Sequence, residues 1–140
     1  MHILDIKPET VFQALSESTR LRIMRLLCVT GEEACLCEFV DALLEPQYKL
    51  SRHIKILKQA GLLSTLKDGR WVYHRLVTSS EYLQQLHTSI IMMTDYEGFY
   101  QEDIKRFNQR MFIRESGRCR VGVQNTKLLE DNIKNKTDRS

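Results

Sequence analysis

The stretch from residue 35 to residue 76 constrains the fold more than any other part of this chain. An amphipathic segment ends at Glu45-Pro46, and a basic segment without acids follows over Tyr48–Gln59. Two short β-prone runs then flank Asp68-Gly69, a dipeptide typical of tight hairpins. Helix, turn, basic helix and hairpin in this order are typical of a winged helix-turn-helix, a mostly α fold with a β-hairpin wing.

Hydrophobic periodicity places the elements within this stretch. We expect one helix over about Glu33–Leu44 and the basic helix over about Tyr48–Gln59. Each carries an apolar stripe at helical spacing, which would face the core. The β-prone runs, Leu62–Leu66 and Trp71–Leu76, are expected to pair as the wing.

The basic helix and the wing tip offer side chains that suit DNA. Lysine and arginine neutralise phosphates, arginine can bind guanine with two hydrogen bonds, and serine or histidine can donate to phosphates or bases. Because a helix precedes and a hairpin follows, a merely solvated basic face is the weaker interpretation. The candidate contacts are Lys49, Ser51, Arg52 and His53 on the helix and Lys67 and Arg70 at the wing tip.

After the wing, an apolar stripe at helical spacing continues farther than one small domain needs for its own core. We therefore expect a subunit interface built by terminal helices through Leu83, Leu86 and Ile90, although Gly98 could divide the helix. A two-fold homodimer would present two basic helices to palindromic double-stranded operator DNA. The alternative is a helix that packs only within its own subunit.

The length of 140 residues suits one domain with a real core. The apolar pattern fades from about Glu115, and basic residues then outnumber acids. We predict a DNA-binding and dimerisation domain over residues 1–113 and a mobile basic tail over residues 114–140, which includes Cys119.

The cellular compartment is inferred from what the sequence lacks. No apolar run reaches the roughly 18 residues of a membrane span. Residues 1–8 have neither the basic start nor the apolar core of a secretion signal. We therefore expect a cytoplasmic protein without membrane association, in which four cysteines serve as ligands, redox groups or buried fillers rather than as disulfides.

Several segments in combination resemble one known family. The segments are Cys35–Glu38, Leu50–Leu57, Ala60–Leu63 and Asp68–Leu76. Together they resemble the ArsR/SmtB family of metalloregulatory repressors, and within it the arsenical-resistance repressors, which carry Cys-x-Cys at the start of this helix. The resemblance implies a homodimer that represses its operon until As(III) or Sb(III) binds. It also implies that the protein has no permanent cofactor.

The resemblance also assigns roles to residues. The DNA-reading role passes to Gln47, Lys49, Ser51, Arg52 and His53, and the inducer-binding role passes to Cys35 and Cys37. The arsenical repressors often have a third cysteine three residues after the pair, whereas Val40 occupies that position here. This helix alone therefore does not supply three thiolates.

The chemistry of the cysteine pair can be argued from the residues. Soft thiolates select soft ions. On a regular helix Cys35 and Cys37 would point about 200° apart, so one ion could join them only by distorting the helix that supports the basic helix. The third ligand could be Cys119, Cys28 or an exogenous group, and we favour Cys119 because a mobile tail can move to the ion.

Other functions compete with this interpretation. The same fold could sense Zn²⁺, Cd²⁺ or reactive sulfur and redox state through Cys28 and Cys119, and His87, Asp95 and Glu97 are weaker candidate zinc ligands. An enzyme of the thiol oxidoreductase type is disfavoured. The pair is Cys-x-Cys rather than Cys-x-x-Cys, and no βαβ pattern surrounds it.

Overall fold

A computed structural model describes residues 6–124 and 126–139 of the chain. Residues 1–5, which belong to the segment judged above not to be a secretion signal, lie outside the described residues. The helices are α1 (Pro8–Leu15), α2 (Ser18–Thr30), α3 (Leu36–Leu43), α4 (Gln47–Gln59), α5 (Glu81–Met92), α6 (Phe99–Phe112) and α7 (Thr126–Arg139), and the strands are β1 (Ala34–Cys35), β2 (Leu63–Asp68) and β3 (Trp71–Leu76).

The winged helix-turn-helix prediction is confirmed. Helix α3 ends at a left-handed cap, Leu44, whose φ is 55°. Pro46 precedes α4 with φ −60°, which suits the entry to a helix. Strands β2 and β3 pair antiparallel around a two-residue loop. Residue 69 in this loop has φ 62°, a conformation that favours glycine.

One short strand was not predicted. Strand β1 pairs antiparallel with β3, so the sheet order is β1-β3-β2. In this pairing Ala34 lies opposite His74 and Cys35 lies opposite Tyr73. The cysteine pair therefore adjoins the wing as well as α3.

The core lies between the helix-turn-helix and the flanking helices. Ile23 and Leu27 of α2, Phe39 of α3, and Leu50 and Leu57 of α4 are all fully buried. Burial of each such side chain contributes about 1.5–3 kcal/mol. These contacts fix α4 against α2 and α3 and leave its basic face outward.

The helix predicted after the wing is divided, as Gly98 allowed. Helix α5 ends at Met92, and α6 begins after Gly98, which has φ 75°. Leu83 and Ile90, predicted for a subunit interface, are each 1% exposed within this single chain. They belong to the chain's own core because the break lets α5 pack against α2. A homodimer stays a prediction.

Residues 114–124 pack against α3, α6 and the wing rather than extending from the fold. Arg114 is 7% exposed and Cys119 is fully buried. This differs from the mobile tail that we expected, because the arginines of this segment pair with acids elsewhere in the chain. Helix α7 follows and packs on α6. The domain boundary after residue 113 stays a prediction, and residues 125 and 140 lie outside the described part of the chain.

Over residues 6–124 and 126–139, every helix is too short or too polar to span a bilayer.

Candidate functional site: a buried cluster of three thiols beside the wing

Cys35 and Cys37 do not lie on one regular helix. Cys35 ends β1 and is the N-cap of α3, with an extended backbone at φ −81° and ψ 159°. The helix expected from about Glu33 therefore begins at Leu36, because pairing with β3 holds the preceding residues extended. Cys37 follows as the second residue of α3. The separation of about 200° expected for two residues of one regular helix therefore does not apply to this pair.

Cys119 completes a cluster of three thiols. Its Sγ lies 3.7 Å from the Sγ of Cys37. Its Sγ also lies within 4.8 Å of the Cys35 Sγ and of a carboxylate oxygen of Glu38. Cys35 and Cys119 are buried, and Cys37 is half-buried. The thiol cluster, as we call Cys35, Cys37 and Cys119, has the soft donors that thiophilic ions prefer.

The fourth cysteine lies elsewhere. Cys28 is half-buried on α2 and packs against the main hydrophobic core. Burial raises the pKa of its thiol to about 12. Val40, which replaces the third cysteine of the arsenical repressors, also packs against that core. Among the described residues, only Cys35, Glu38 and Cys119 form a group that could hold a metal ion by the proximity of their ligand atoms.

Contacts with the wing hold Cys119 in place. The backbone N–H of Cys119 donates to the hydroxyl of Tyr73 at 2.8 Å, and Tyr73 is fully buried. The adjacent Arg118 donates from Nε and Nη2 to Asp68 at 3.0 and 2.8 Å. Its guanidinium also lies 4.3 Å from the centre of the Tyr73 ring. The thiol cluster is therefore connected to the tip of the wing.

Two buried ion pairs surround the thiol cluster. Arg114 donates from Nε and Nη2 to the two carboxylate oxygens of Glu38, each at 2.8 Å. Arg110 donates from Nε to Asp41 at 2.7 Å. The Nη2 of Arg110 lies 3.7 Å from the Cys37 Sγ. Paired charges with further hydrogen bonds are the form in which burial of ions is tolerable.

These neighbours shift the titration of the thiols. Hydrogen bonds with Cys35 and Cys37 lower the pKa of Cys119, and the Arg110 guanidinium adds to that effect. Hydrogen bonds with Cys119 and Cys37, together with burial, raise the pKa of Cys35. The hydrogen bond with Cys119 is the main reason that the pKa of Cys37 rises to about 11. Of the three thiols, Cys119 is thus the one whose pKa these neighbours lower.

The outer face of α4 is available for DNA. Gln47, Ser51 and Arg52 are exposed there. Lys49 is half-buried, and its Nζ lies 3.0 Å from Glu45 Oε2, an ion pair within one turn. A half-exposed pair of this kind contributes little to stability, so Lys49 remains free to exchange Glu45 for a phosphate.

His53 occupies a different place from the other predicted DNA contacts. It is 5% exposed, and its Nδ1 lies 3.1 Å from Arg20 Nη1 and 3.7 Å from Glu17 Oε2. Burial lowers the pKa of His53. We expected the His53 side chain to face DNA. The structure instead places it between α4 and α2, because residue 53 lies on the inner side of α4, next to the exposed Arg52.

The wing tip presents its basic residues to solvent. Lys67 and Arg70 are exposed, and the Arg70 guanidinium lies 4.7 Å from the centre of the Trp71 ring. Both sit beside Asp68, which Arg118 holds. A movement of Arg118 would therefore also move Asp68 and the neighbouring candidate DNA contacts of the wing.

The weaker zinc candidates are not brought together. His87 is buried on α5, Glu97 is exposed, and Asp95 accepts hydrogen bonds from the backbone N–H groups of Tyr100 and Gln101. Within the described part of the chain these three do not form a group whose ligand atoms could share an ion.

Sequence reasoning missed the residues that support the thiols. They are Glu38, Asp41, Tyr73, Arg110, Arg114 and Arg118. One signal was present: two acids three residues apart share a face with the apolar stripe of α3, and such a face needs cations to bury it. The pattern does not say which arginines supply those cations.

Comparison with known proteins gives a consistent result. Residues 17–65 match the family described as bacterial regulatory protein, arsR family. An uncharacterized HTH-type transcriptional regulator from Methanocaldococcus jannaschii is 38% identical over 71 residues, which are 51% of this chain and 79% of that protein.

Two further relatives carry functional names. The arsenical resistance operon repressor of Escherichia coli K12 is 44% identical over 69 residues, 49% of this chain and 58% of the relative. A cadmium resistance transcriptional regulatory protein CadC homolog from Staphylococcus aureus is 34% identical over 76 residues, 54% of this chain and 60% of the relative. The matches thus span a little more than half of each of these two relatives.

Proposed function

Because the chain belongs to the arsR family of bacterial regulatory proteins, a family of transcriptional regulators rather than enzymes, we propose that it is a metalloid-responsive repressor. It binds operator DNA as a homodimer through the outer face of α4 and the wing tip. As(III) or Sb(III) bound by Cys35, Cys37 and Cys119 then releases the operator. The likeness to an arsenical resistance operon repressor supports the choice of inducer.

The observation that carries this proposal is the convergence of three sulfurs. Three sulfurs bound to one ion at about 2.3 Å stand about 3.3–3.8 Å apart, from a pyramidal to a tetrahedral arrangement. The Cys37 and Cys119 sulfurs are already 3.7 Å apart. The Cys35 sulfur lies within 4.8 Å of the Cys119 sulfur, so Cys119 is near enough to each of the other two thiols to share an ion with it.

The binding reaction balances without an oxidant or reductant. Arsenous acid, As(OH)₃, reacts with three thiols to give As(SR)₃ and three molecules of water. Three As–O bonds break and three As–S bonds form, while each thiol proton leaves on a hydroxide. The three As–S bonds offset the loss of the three As–O bonds, because thiolates are the soft ligands that such an ion prefers.

Two structural connections can carry the signal to DNA. Cys37 lies in the first turn of α3, which packs against the reading helix α4. Cys119 is joined to the wing through Tyr73 and, by way of Arg118, through Asp68. A complex that draws the three sulfurs together thus acts on both DNA-contacting elements. By linkage, operator DNA must weaken metalloid binding by the same factor.

The homodimer has support from an apolar face along α1 and α5. Phe12 is 64% exposed and Tyr82 is 53% exposed, and Leu86 lies with them in one groove. Large contiguous apolar surface on a small protein is typical of an interaction site. A second copy is the natural partner because a symmetric operator needs two reading helices.

The test is release of labelled operator DNA, followed by fluorescence anisotropy during titration with arsenite. Cys35→Ser, Cys37→Ser and Cys119→Ser should each bind DNA as the wild type does and respond at least about tenfold less to arsenite, since each lacks one soft ligand. Cys28→Ser is the matched control and should respond normally. If the triple variant is released at the wild-type arsenite concentration, the inducer site is elsewhere.

A second candidate is a repressor released by Cd²⁺ or Zn²⁺. A carboxylate oxygen of Glu38 lies within 4.8 Å of the Cys35 and Cys119 sulfurs, and the similarity to a cadmium resistance regulator agrees with this candidate. Both Glu38 oxygens, however, already accept from Arg114. Titration of the same DNA complex with cadmium should cause release at lower concentration than arsenite if this candidate is correct.

A further inference from the structure

We propose that the charge balance of the buried ion pairs makes the thiol cluster selective for trivalent metalloids over divalent metals, with Asp41 and Arg110 as the specificity-determining pair. This rests on the proposed function, because it concerns which ion the same three thiols retain. Under this proposal the identity of the retained ion depends on Asp41 and Arg110, which do not contact the ion, as well as on the three thiols that bind it.

Four charged side chains beside the thiols are almost completely withdrawn from water. Glu38 and Arg110 are 0% exposed, Asp41 is 5% exposed and Arg114 is 7% exposed. Arg110 is held at 2.7 Å from Asp41, and Arg114 is held at 2.8 Å from Glu38. Two negative and two positive charges therefore sum to zero before any ion arrives.

The net charge of these four side chains affects the sulfurs because Arg110 lies directly against two of them. Its Nη2 lies 3.7 Å from the Cys37 Sγ and 3.9 Å from the Cys119 Sγ. The same nitrogen donates to the carbonyls of Val121 and Gly122 at 2.8 and 3.0 Å, which fixes the guanidinium. The cation therefore cannot move away to match whichever complex forms.

The two classes of ion change this sum differently. A trivalent ion on three thiolates forms a neutral complex, As(SR)₃, and leaves the surroundings balanced. A divalent ion forms [M(SR)₃]⁻ by releasing three protons to solvent, and the site then carries one uncompensated negative charge. If Glu38 or water were the fourth ligand, the sum would stay at −1, because Glu38 is already counted and water is neutral.

An uncompensated charge is costly here. Burial of a charge without a partner carries a penalty that water would otherwise relieve. Glu38 and Asp41 already neutralise the two buried arginines. The balanced surroundings therefore favour the neutral trivalent complex, and removal of one negative charge should reverse that preference.

The experiment uses Asp41→Asn in the full chain. Asparagine removes the charge and keeps one side-chain oxygen, which at the position of Oδ2 can still accept from the Gln124 backbone N–H and from Arg110 Nε. The surroundings then carry +1, which a divalent trithiolate neutralises and a trivalent one does not. Arsenite and Cd²⁺ compete for the purified protein, and binding is followed by the sulfur-to-metal charge-transfer absorption. The ratio of the two affinities should shift toward Cd²⁺ by about tenfold to a hundredfold.

Asp103→Asn is the matched control. Asp103 is 1% exposed and also pairs with arginines, Arg22 and Arg106. It lies seven residues before Arg110 on α6, or about 10 Å along the helix. Its charge should change the arsenite-to-cadmium preference by less than about threefold.

The outcomes separate the two proposals. If the wild type binds arsenite through its cysteines and Asp41→Asn keeps the wild-type preference, charge selection is refuted and the proposed function stands. A wild type that does not bind arsenite through the thiols refutes both. Should circular dichroism show that Asp41→Asn is unfolded, Glu38→Gln decides by the same competition, since it removes the other negative charge.

Discussion

The hydrogen bond between the Tyr73 hydroxyl and the Cys119 backbone offers a direct test of how the segment after α6 is held. Tyr73→Phe removes one oxygen and retains the ring. The ring is fully buried and lies beside the guanidinium groups of Arg118 and Arg114, with separations of 4.3 and 5.6 Å from the ring centre. Packing and these cation–ring contacts should therefore survive the substitution.

The magnitude follows from the burial of the remaining donor. The N–H of Cys119 donates at 2.8 Å to the hydroxyl and would be left without an acceptor in a buried site. Leaving a buried donor unsatisfied costs about 1–3 kcal/mol. We therefore expect the free energy of unfolding to fall by about 2 kcal/mol. With a urea m-value of about 2 kcal/mol/M, the midpoint would fall by roughly 1 M.

The assay is urea unfolding followed by circular dichroism, with the m-value compared between variants. Tyr96→Phe is the control, because Tyr96 is 91% exposed and its hydroxyl should contribute less than about 0.5 kcal/mol. A loss below about 0.5 kcal/mol in Tyr73→Phe, at an unchanged m-value, would refute the reasoning that this bond fixes Cys119. The same variant should need more arsenite for operator release, since Cys119 is then less well placed.

Three further predictions concern DNA, assembly and pH. Arg52→Ala should weaken operator binding by about 1–3 kcal/mol if Arg52 contacts a base, whereas Arg70→Ala should weaken all sequences and reduce the salt slope; unchanged affinity in the Arg52 variant would contradict this. Leu86→Asp should give monomers or insoluble protein in sedimentation, whereas a wild type that is monomeric at micromolar concentration and still binds a palindrome tightly would exclude the dimer. Burial lowers the pKa of His53, His74 and His87, so the unfolded chain binds more protons than the folded one below about pH 6.5. The urea midpoint should therefore fall from pH 7 to pH 5.5, and a constant or rising midpoint would contradict this assignment.

The sequence alone specified the elements whose signals are local. The Asp68-Gly69 turn and the apolar periodicity over Tyr48–Gln59 predicted the hairpin of the wing and the helix α4, and the structure confirms both elements. Such signals are local because helical spacing and turn chemistry depend on neighbours within a few residues. The assignment of Cys35 and Cys37 as a thiol site came from the pair together with the neighbouring segments, and it stays a prediction.

Tertiary structure decided where the helix before the turn begins. Helical periodicity included Glu33 and Cys35, but pairing of β1 with β3 keeps Cys35 extended and starts α3 at Leu36. A strand partner almost forty residues away outweighs a local helical preference, because ladder hydrogen bonds and burial contribute more than propensity. The relation between the two thiols changes accordingly.

Only the tertiary structure decided where Cys119 lies. It stands 82 residues after Cys37 in a segment whose composition is typical of a mobile tail. Composition reports how much apolar surface a segment can bury, whereas Arg114 and Arg118 are held by Glu38 and Asp68, acids far away in the chain. Which distant acid meets which arginine depends on the packed arrangement of α3, α6 and the wing, so no local pattern encodes it.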